Sequence, residues 1–194
     1  MVNVPDFDTL YRADPDPWQV ASSFYEQRKQ AVLLASLTRA TYASAWDPGC
    51  GTGELAAQLA NRADAVLATD TSAEAVRLAA ARCAELPHVV VRRIRQPGPP
   101  DPGTAGFALI VVAEFAYYLP ASDRAEMWRT ISAAAAEDAE IAVIHWRHDP
   151  HDAHLSGFDV NAEAVLALTS EPGWRPVVRH DDQDFVLDVL RRGA

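Results

Sequence analysis

Beyond residue 41 the chain alternates short apolar runs with stretches whose apolar residues recur every three or four positions, as strands alternating with helices do. The pattern predicts strands at residues 42–47, 65–69, 88–94, 107–113 and 140–146. It predicts helices at residues 54–61, 71–85, 122–136 and 161–169. Leu55 and Leu59 share one face of the first helix at i, i+4. Thr71 and Glu74 have capping-box spacing at the start of the second, and Ser122 or Asp123 suits the N-cap of the third. Residues 96–106 hold four prolines and three glycines and read as a loop. Residues 176–180 and 185–191 read as a closing hairpin whose turn is Asp181-Asp182-Gln183.

The first 16 residues read as an irregular lead-in, with Pro5 and Pro15, and Pro17 just beyond, set among acids. Residues 17–37 turn helical, with a break near Ser22 and Ser23. The whole pattern predicts a Rossmann-like α/β fold: a mostly parallel sheet covered on both faces, with an antiparallel C-terminal hairpin strand. No repeat or long linker interrupts it, so residues 1–194 read as one domain.

Composition narrows the function classes. At 194 residues the chain can bury roughly 70% of its unfolded surface, so it needs neither disulfides nor a structural metal. A net charge of −10 repels nucleic acid and anionic membranes, so neither is an expected partner, and it weakly favours a cationic or neutral small molecule. Cys50 and Cys83 form no CxxC pair and suit a reducing cytoplasm. The N-terminus lacks the basic and apolar regions of a signal peptide, and no apolar run approaches the roughly 20 residues of a membrane helix.

The strongest local signal is Asp47-Pro48-Gly49-Cys50-Gly51-Thr52-Gly53-Glu54, set between a strand and a helix. Ligands of open α/β sheets bind outside the carboxyl ends of the strands, and glycines let a ligand approach the backbone. The spacing departs from G-x-G-x-x-G because position 54 is Glu, and no Gly-Lys-Ser/Thr follows to make a P-loop. An acid at the helix start repels phosphate, so a phosphate-free nucleoside such as S-adenosylmethionine fits better. Asp70, ending the next strand 17 residues after Gly53 with Thr71 beside it, can accept from a ribose diol. Asp47 can accept from an ammonium group. Folding alone gives no reason for three glycines here, which points to a ligand.

These residues resemble the first two motifs of class I methyltransferases. The chain is also similar to the nodulation protein S family of N-methyltransferases. That likeness rests on Asp16-Pro17-Trp18 with Ser23-Phe24-Tyr25-Glu26-Gln27-Arg28-Lys29, on Ala113-Glu114-Phe115-Ala116-Tyr117-Tyr118-Leu119, and on His145-Trp146-Arg147 with Leu155-Ser156-Gly157. It implies a class I methyltransferase sheet, S-adenosylmethionine as cofactor with S-adenosylhomocysteine as product, and methyl transfer to an amine. For the namesake that amine belongs to a chitin-type oligosaccharide. It also implies an N-terminal lid, residues 1–40, over a core of residues 41–194. Two positions depart from the family: Arg93-Ile94-Arg95 replaces an acid near the end of the third strand, and Val160-Asn161 replaces Val-His.

Methyl transfer from a sulfonium is a direct displacement, so the protein mainly binds and orients. Glu114 is a candidate to hold the acceptor ammonium or take a proton, Tyr117 to border the methyl group or orient the amine, and Glu114 also faces the cofactor. His145 has a pKa of ~6.5 when unperturbed and is the other candidate base. Trp18 and Arg28 are lid candidates for cofactor contact, joining Asp47, Gly49, Cys50, Gly51, Gly53, Asp70 and Thr71. The histidines at 145, 148, 151 and 154 do not converge along a proline-broken segment, so no metal site is expected. An O-methyltransferase, which needs stronger base assistance, and a non-catalytic S-adenosylmethionine-binding domain are the alternatives.

Overall fold

The computed structural model describes residues 4–100 and 106–193. It contains one seven-stranded sheet: β1 (Ala45–Pro48), β2 (Val66–Asp70), β3 (Val89–Arg93), β4 (Phe107–Ala113), β5 (Ala135–Trp146), β6 (Trp174–Asp181) and β7 (Phe185–Arg192). The spatial order is β3-β2-β1-β4-β5-β7-β6. The first five strands run parallel, and β7 pairs antiparallel with both β5 and β6. This is the mostly parallel sheet with a terminal hairpin that the alternation implies.

Six α-helices accompany it among the described residues: α1 (Phe7–Ala13), α2 (Phe24–Ser36), α3 (Glu54–Leu59), α4 (Ala73–Arg82), α5 (Ala121–Ala134) and α6 (Gly157–Thr169). β4 shows why the sheet needs helices on both sides. Its Leu109 and Val111 pack with Leu33, Leu55 and Leu59 from α2 and α3 on one face. Its Ile110 and Val112 pack with Met127, Ile131 and Val160 from α5 and α6 on the other. All four β4 residues have no exposed surface. Each such burial stabilises the fold by about 1.5–3 kcal/mol, so β4 anchors both layers.

Several boundaries differ from the sequence expectation. The lead-in contains α1, started by Asp6, whose side chain accepts from the Thr9 amide. A helix of 7 residues shows barely two turns of periodicity, and the flanking prolines mask it. The cap of α4 is Ser72, not Thr71: the Ser72 hydroxyl accepts from the Ala75 amide at 3.1 Å. Neither Ser122 nor Asp123 caps α5, which begins at Ala121 after Pro120, while the Ser122 hydroxyl donates to Asp123. β5 begins at Ala135, where pairing with Phe107 overrides the helical preference of the alanine run. Residues 101–105 of the expected 96–106 loop lie outside the described residues.

Order along the sheet reverses between β1 and β4. The crevice at that switch point is where an open α/β sheet places a ligand. Here the strand ends deliver Asp47, Asp70, Glu114 and Trp146 to one region.

Candidate active site

A cavity of about 850 Å³ opens over these strand ends. Of the candidate residues, Trp18, Asp47, Gly49, Cys50, Gly51, Asp70, Thr71, Glu114 and Tyr117 line it. Gly53, Arg28 and His145 do not.

The glycine turn is shaped partly by its own packing. Gly49 has φ +75°, and a Cβ there would lie 2.5 Å from the Phe115 ring. Gly53 has φ +82°, and a Cβ would lie 3.0 Å from the Ala79 Cα of α4. Gly51 has φ +52°, and a Cβ there would lie 2.9 Å from the Tyr11 hydroxyl, so folding favours glycine at all three positions, contrary to the expectation. Gly53 holds α3 against α4, whereas Gly49, Cys50 and Gly51 present backbone to the cavity. Burial pushes the Cys50 thiol well up, so it stays neutral.

The two acids differ in how they are held. Asp70 accepts from the Gly51 amide at 3.0 Å and the Ser72 amide at 2.8 Å. Those bonds fix its orientation, although burial still raises its pKa. Asp47 is 1% exposed, and its Oδ2 has no hydrogen-bond partner. Burial, with Asp70 nearby, pushes its carboxyl up to about 8. A buried acceptor without a donor is costly, so a donor brought to this oxygen would be stabilising.

Glu114 sits at the end of β4 in left-handed backbone, φ +58°, a conformation that L side chains adopt at a cost. Its carboxylate is fully engaged. It accepts from the Lys29 ammonium, from the Tyr117 hydroxyl at 2.7 Å and from the Trp146 amide at 3.0 Å. Burial, the largest influence, would raise its pKa, but the Lys29 ammonium, His145 and the Trp146 amide together hold it below the usual carboxylate range. Lys29, the chain's single lysine, also donates to Glu26 at 2.7 Å. Burial opposes its charge, yet Glu114 and Glu26 together hold its pKa above the ordinary value.

His145 belongs to β5 but faces α6, beneath the sheet. It is fully buried, and its Nδ1 lies 2.9 Å from the Asn161 Oδ1. Asn161 in turn donates to Val143 O and to Asp188. Burial lowers the His145 pKa, which keeps the ring neutral. The alternation that turns Ile144 to one side of the sheet turns His145 to the other. Arg28 forks onto Asp182 at the β6–β7 turn, with Nη1 3.1 Å from Oδ1, and stacks 5.3 Å from the Phe185 ring. Arg28 is committed away from the cavity, and His145 does not line it, although its Nε2 has no hydrogen-bond partner.

Sequence reasoning missed the role of α1. Asp8 accepts from the Ser72 hydroxyl at 2.6 Å and the Glu74 amide at 3.1 Å, pinning α1 to the start of α4. Tyr11 then sits over Gly51, and Trp18 packs edge-on against Tyr11 with ring centroids 5.6 Å apart. Gln96, on the loop after β3, also lines the cavity and was not singled out. The amphipathic arrangement of Phe7 and Tyr11, at i, i+4, was the one signal for α1 in the sequence.

Residues 8–176 match the family described as Nodulation protein S (NodS). The chain belongs to the nodulation protein S family. It is 33% identical over 118 residues to nodulation protein S of Rhizobium tropici, covering 59% of this chain and 47% of that protein. It spans about half the length of the curated relatives it matches, at 47% and 56%. The crystal structure of a Pseudomonas syringae protein assigned as a methyltransferase is 36% identical, with TM-score 0.74, covering 88% of this chain and 100% of that one. The N-methyltransferase NodS of Bradyrhizobium japonicum, solved with S-adenosyl-L-homocysteine, aligns at TM-score 0.80 and 18% identity, covering 98% of this chain and 100% of that one. The sheet is that of the class I methyltransferases, as the glycine motif implied. Among the described residues no helix is long and apolar enough to cross a membrane, and no group of three or more His, Cys, Asp or Glu is placed to hold a metal ion.

Proposed function

We propose that this NodS-family protein is an S-adenosylmethionine-dependent N-methyltransferase acting on an amine of a small molecule. The observation that carries the reading is Asp47, a cavity-lining acid whose buried Oδ2 has no donor. The residues fit the cofactor. Asp47 takes its ammonium group, the turned backbone of Gly49 and Gly51 leaves room beside it, and Asp70 offers its remaining lone pairs to the sugar hydroxyls. The described part of the expected lid, residues 4–40, forms the cover through Tyr11 and Trp18. When bound, the cofactor supplies an electrophilic methyl group on a sulfonium centre.

The protein's own contribution is positioning and charge. The Glu114 carboxylate is ionised and fixed by three donors, so it places a negative charge at the end of β4. An amine that attacks a methyl group becomes cationic, and a preorganised carboxylate favours that change. Asp123, Asp149 and Asp152, which also line the cavity, favour a cationic product in the same way. The amine itself enters neutral and releases its proton to solvent.

Transfer to oxygen is the weaker reading because a hydroxyl needs a base. Of the two groups expected to serve as base, Glu114 is occupied by Lys29 and Tyr117, and His145 does not line the cavity. The free thiols Cys50 and Cys83 suit action in the cytoplasm. Incubation with methyl-labelled cofactor and matched panels of amines and alcohols tests the proposal. Label on nitrogen is expected. Label only on oxygen overturns it, and cofactor binding without transfer to any acceptor supports the non-catalytic alternative.

A further inference from the structure

Lys29 is a charge placed where charge is expensive. It is 3% exposed, and it is the one lysine in the chain. Its ammonium donates to Glu26 at 2.7 Å and to Glu114, and it lies 4.9 Å from the centre of the Tyr25 ring. Docking α2 does not call for this arrangement. Leu33 and Leu37 already bury their side chains in the core, and apolar side chains of similar size often hold a buried face at least as well as an ion pair.

The three charges belong to two parts of the fold. Glu26 and Lys29 stand three residues apart on α2, in the cover, whereas Glu114 stands at the end of β4, in the core. All three line the cavity. The titratable groups that face Glu114 are Lys29, Glu26 and Tyr25 from α2, Tyr117 and Tyr118 from the turn after β4, and His145 from β5. Burial keeps His145 neutral, so Lys29 is the one cation among these groups.

Resting on the methyltransferase reading above, we propose that Lys29 is a positioning residue for the reaction: aimed by Glu26, its ammonium ties the cover to the core and pins the Glu114 carboxylate where the methylated amine becomes cationic. Without that ammonium, Glu26 and Glu114 are two buried carboxylates with no counter-ion, and burial and mutual repulsion drive both toward the protonated form. Glu26 already shows this, since burial raises its pKa even with Lys29 beside it. A protonated Glu114 no longer favours a cation, so the rate then depends on pH through a group that stays charged in the wild type. Attack also comes to depend on a seated cover, because the lysine arrives with α2.

Three variants test this. Lys29→Met keeps the bulk and removes the charge, Lys29→Arg keeps the charge, and Glu26→Gln removes the second carboxylate. Turnover (kcat) is followed from about pH 6 to 9 with methyl-labelled S-adenosylmethionine and the panel amine that takes most label from wild type. At about pH 6.5 Lys29→Met should be at least about tenfold slower than wild type, and most of that loss should return by about pH 9, where Glu114 ionises unaided. Lys29→Arg should keep the wild-type pH dependence. Glu26→Gln should keep it too, since removing a like charge only favours an ionised Glu114. The second readout needs no acceptor. A carboxyl whose pKa is raised by folding destabilises the fold as pH climbs past its unfolded value. The urea midpoint of Lys29→Met should therefore fall further below wild type at about pH 8 than at about pH 5. A rate loss that is the same at every pH overturns the proposal, and so does an unfolding penalty that does not grow with pH. A Glu26→Gln profile shifted like that of Lys29→Met overturns it as well. Label on no amine instead overturns the reading on which the proposal rests, and the unfolding comparison still decides whether Lys29 holds Glu114 charged.

Discussion

The two sides of the cavity use similar polar residues in opposite ways. On the side formed by β1 to β3, Asp47 and Gln96 are buried with polar atoms that no protein group satisfies. On the side formed by β4 and β5, Glu114 accepts from Lys29, Tyr117 and the Trp146 amide, and His145 is tied to Asn161. The first side is incomplete by itself and gains most from a ligand. On the second, the Glu114 carboxylate is already satisfied and supplies rigidity and a fixed charge, although the buried Nε2 of His145 has no partner. For methyl transfer the division is sensible. The cofactor, which brings the chemistry, must be held by specific bonds, while the acceptor needs a shaped and charged place to attack from.

Substitutions can break or sharpen this contrast. The largest effect is expected on the incomplete side. Asp47→Asn removes the charge that answers the cofactor's ammonium, and affinity for S-adenosylhomocysteine should fall about 100-fold, as for a lost hydrogen bond between charged groups. Titration calorimetry measures this, and an unchanged affinity would place the ammonium elsewhere.

On the closed side the first cost should be stability. Glu114→Gln leaves the Lys29 ammonium, whose side chain is 4% exposed, with Glu26 as its one remaining carboxylate. Unfolding in urea should show a loss of about 2–3 kcal/mol, somewhat less than for a buried ion left with no partner. If stability is unaffected while activity vanishes, Glu114 acts on the substrate more directly than the network suggests.

His145→Gln should cost about 1–2 kcal/mol through the hydrogen bond to Asn161. It should leave the pH profile of kcat/KM unchanged in shape, because a neutral ring outside the cavity moves no proton. Loss of a limb near neutral pH would restore His145 as a base and remove the contrast between the two sides. Arg28→Ala should have the smallest effect, with cofactor affinity within about twofold of wild type, since its exposed ion pair with Asp182 lies off the cavity.

Much of the fold was readable from the chain. β4 runs over Phe107–Ala113 as expected, because a buried parallel strand is a continuous apolar run with sharp polar edges. Asp47, Asp70, Gly49 and Gly51 were legible because a strand, a glycine turn and a second strand fix their places. His145 and Arg28 were misjudged for related reasons. Each lies beside site residues in the sequence, but strand alternation turns His145 under the sheet, and the helix places Arg28 toward the β6–β7 turn. Gln96 and Asp8 left no trace in the pattern. Gln96 stands in a proline-rich loop without periodicity, and the role of Asp8 depends on a contact 64 residues away.

The central claim is that Asp47 waits for a cation. With its carboxyl pushed up to about 8, the free protein holds a proton there at pH 7. A bound ammonium favours the ionised form, so binding must expel that proton, and affinity must rise as pH climbs from about 6 toward 8 and then level off. Titration of S-adenosylhomocysteine at pH 7 in buffers of different ionisation enthalpy reads the proton directly. The account expects net proton release on binding, falling toward zero at higher pH and absent in Asp47→Asn. Binding with no proton release, or the same release from Asp47→Asn, would contradict it.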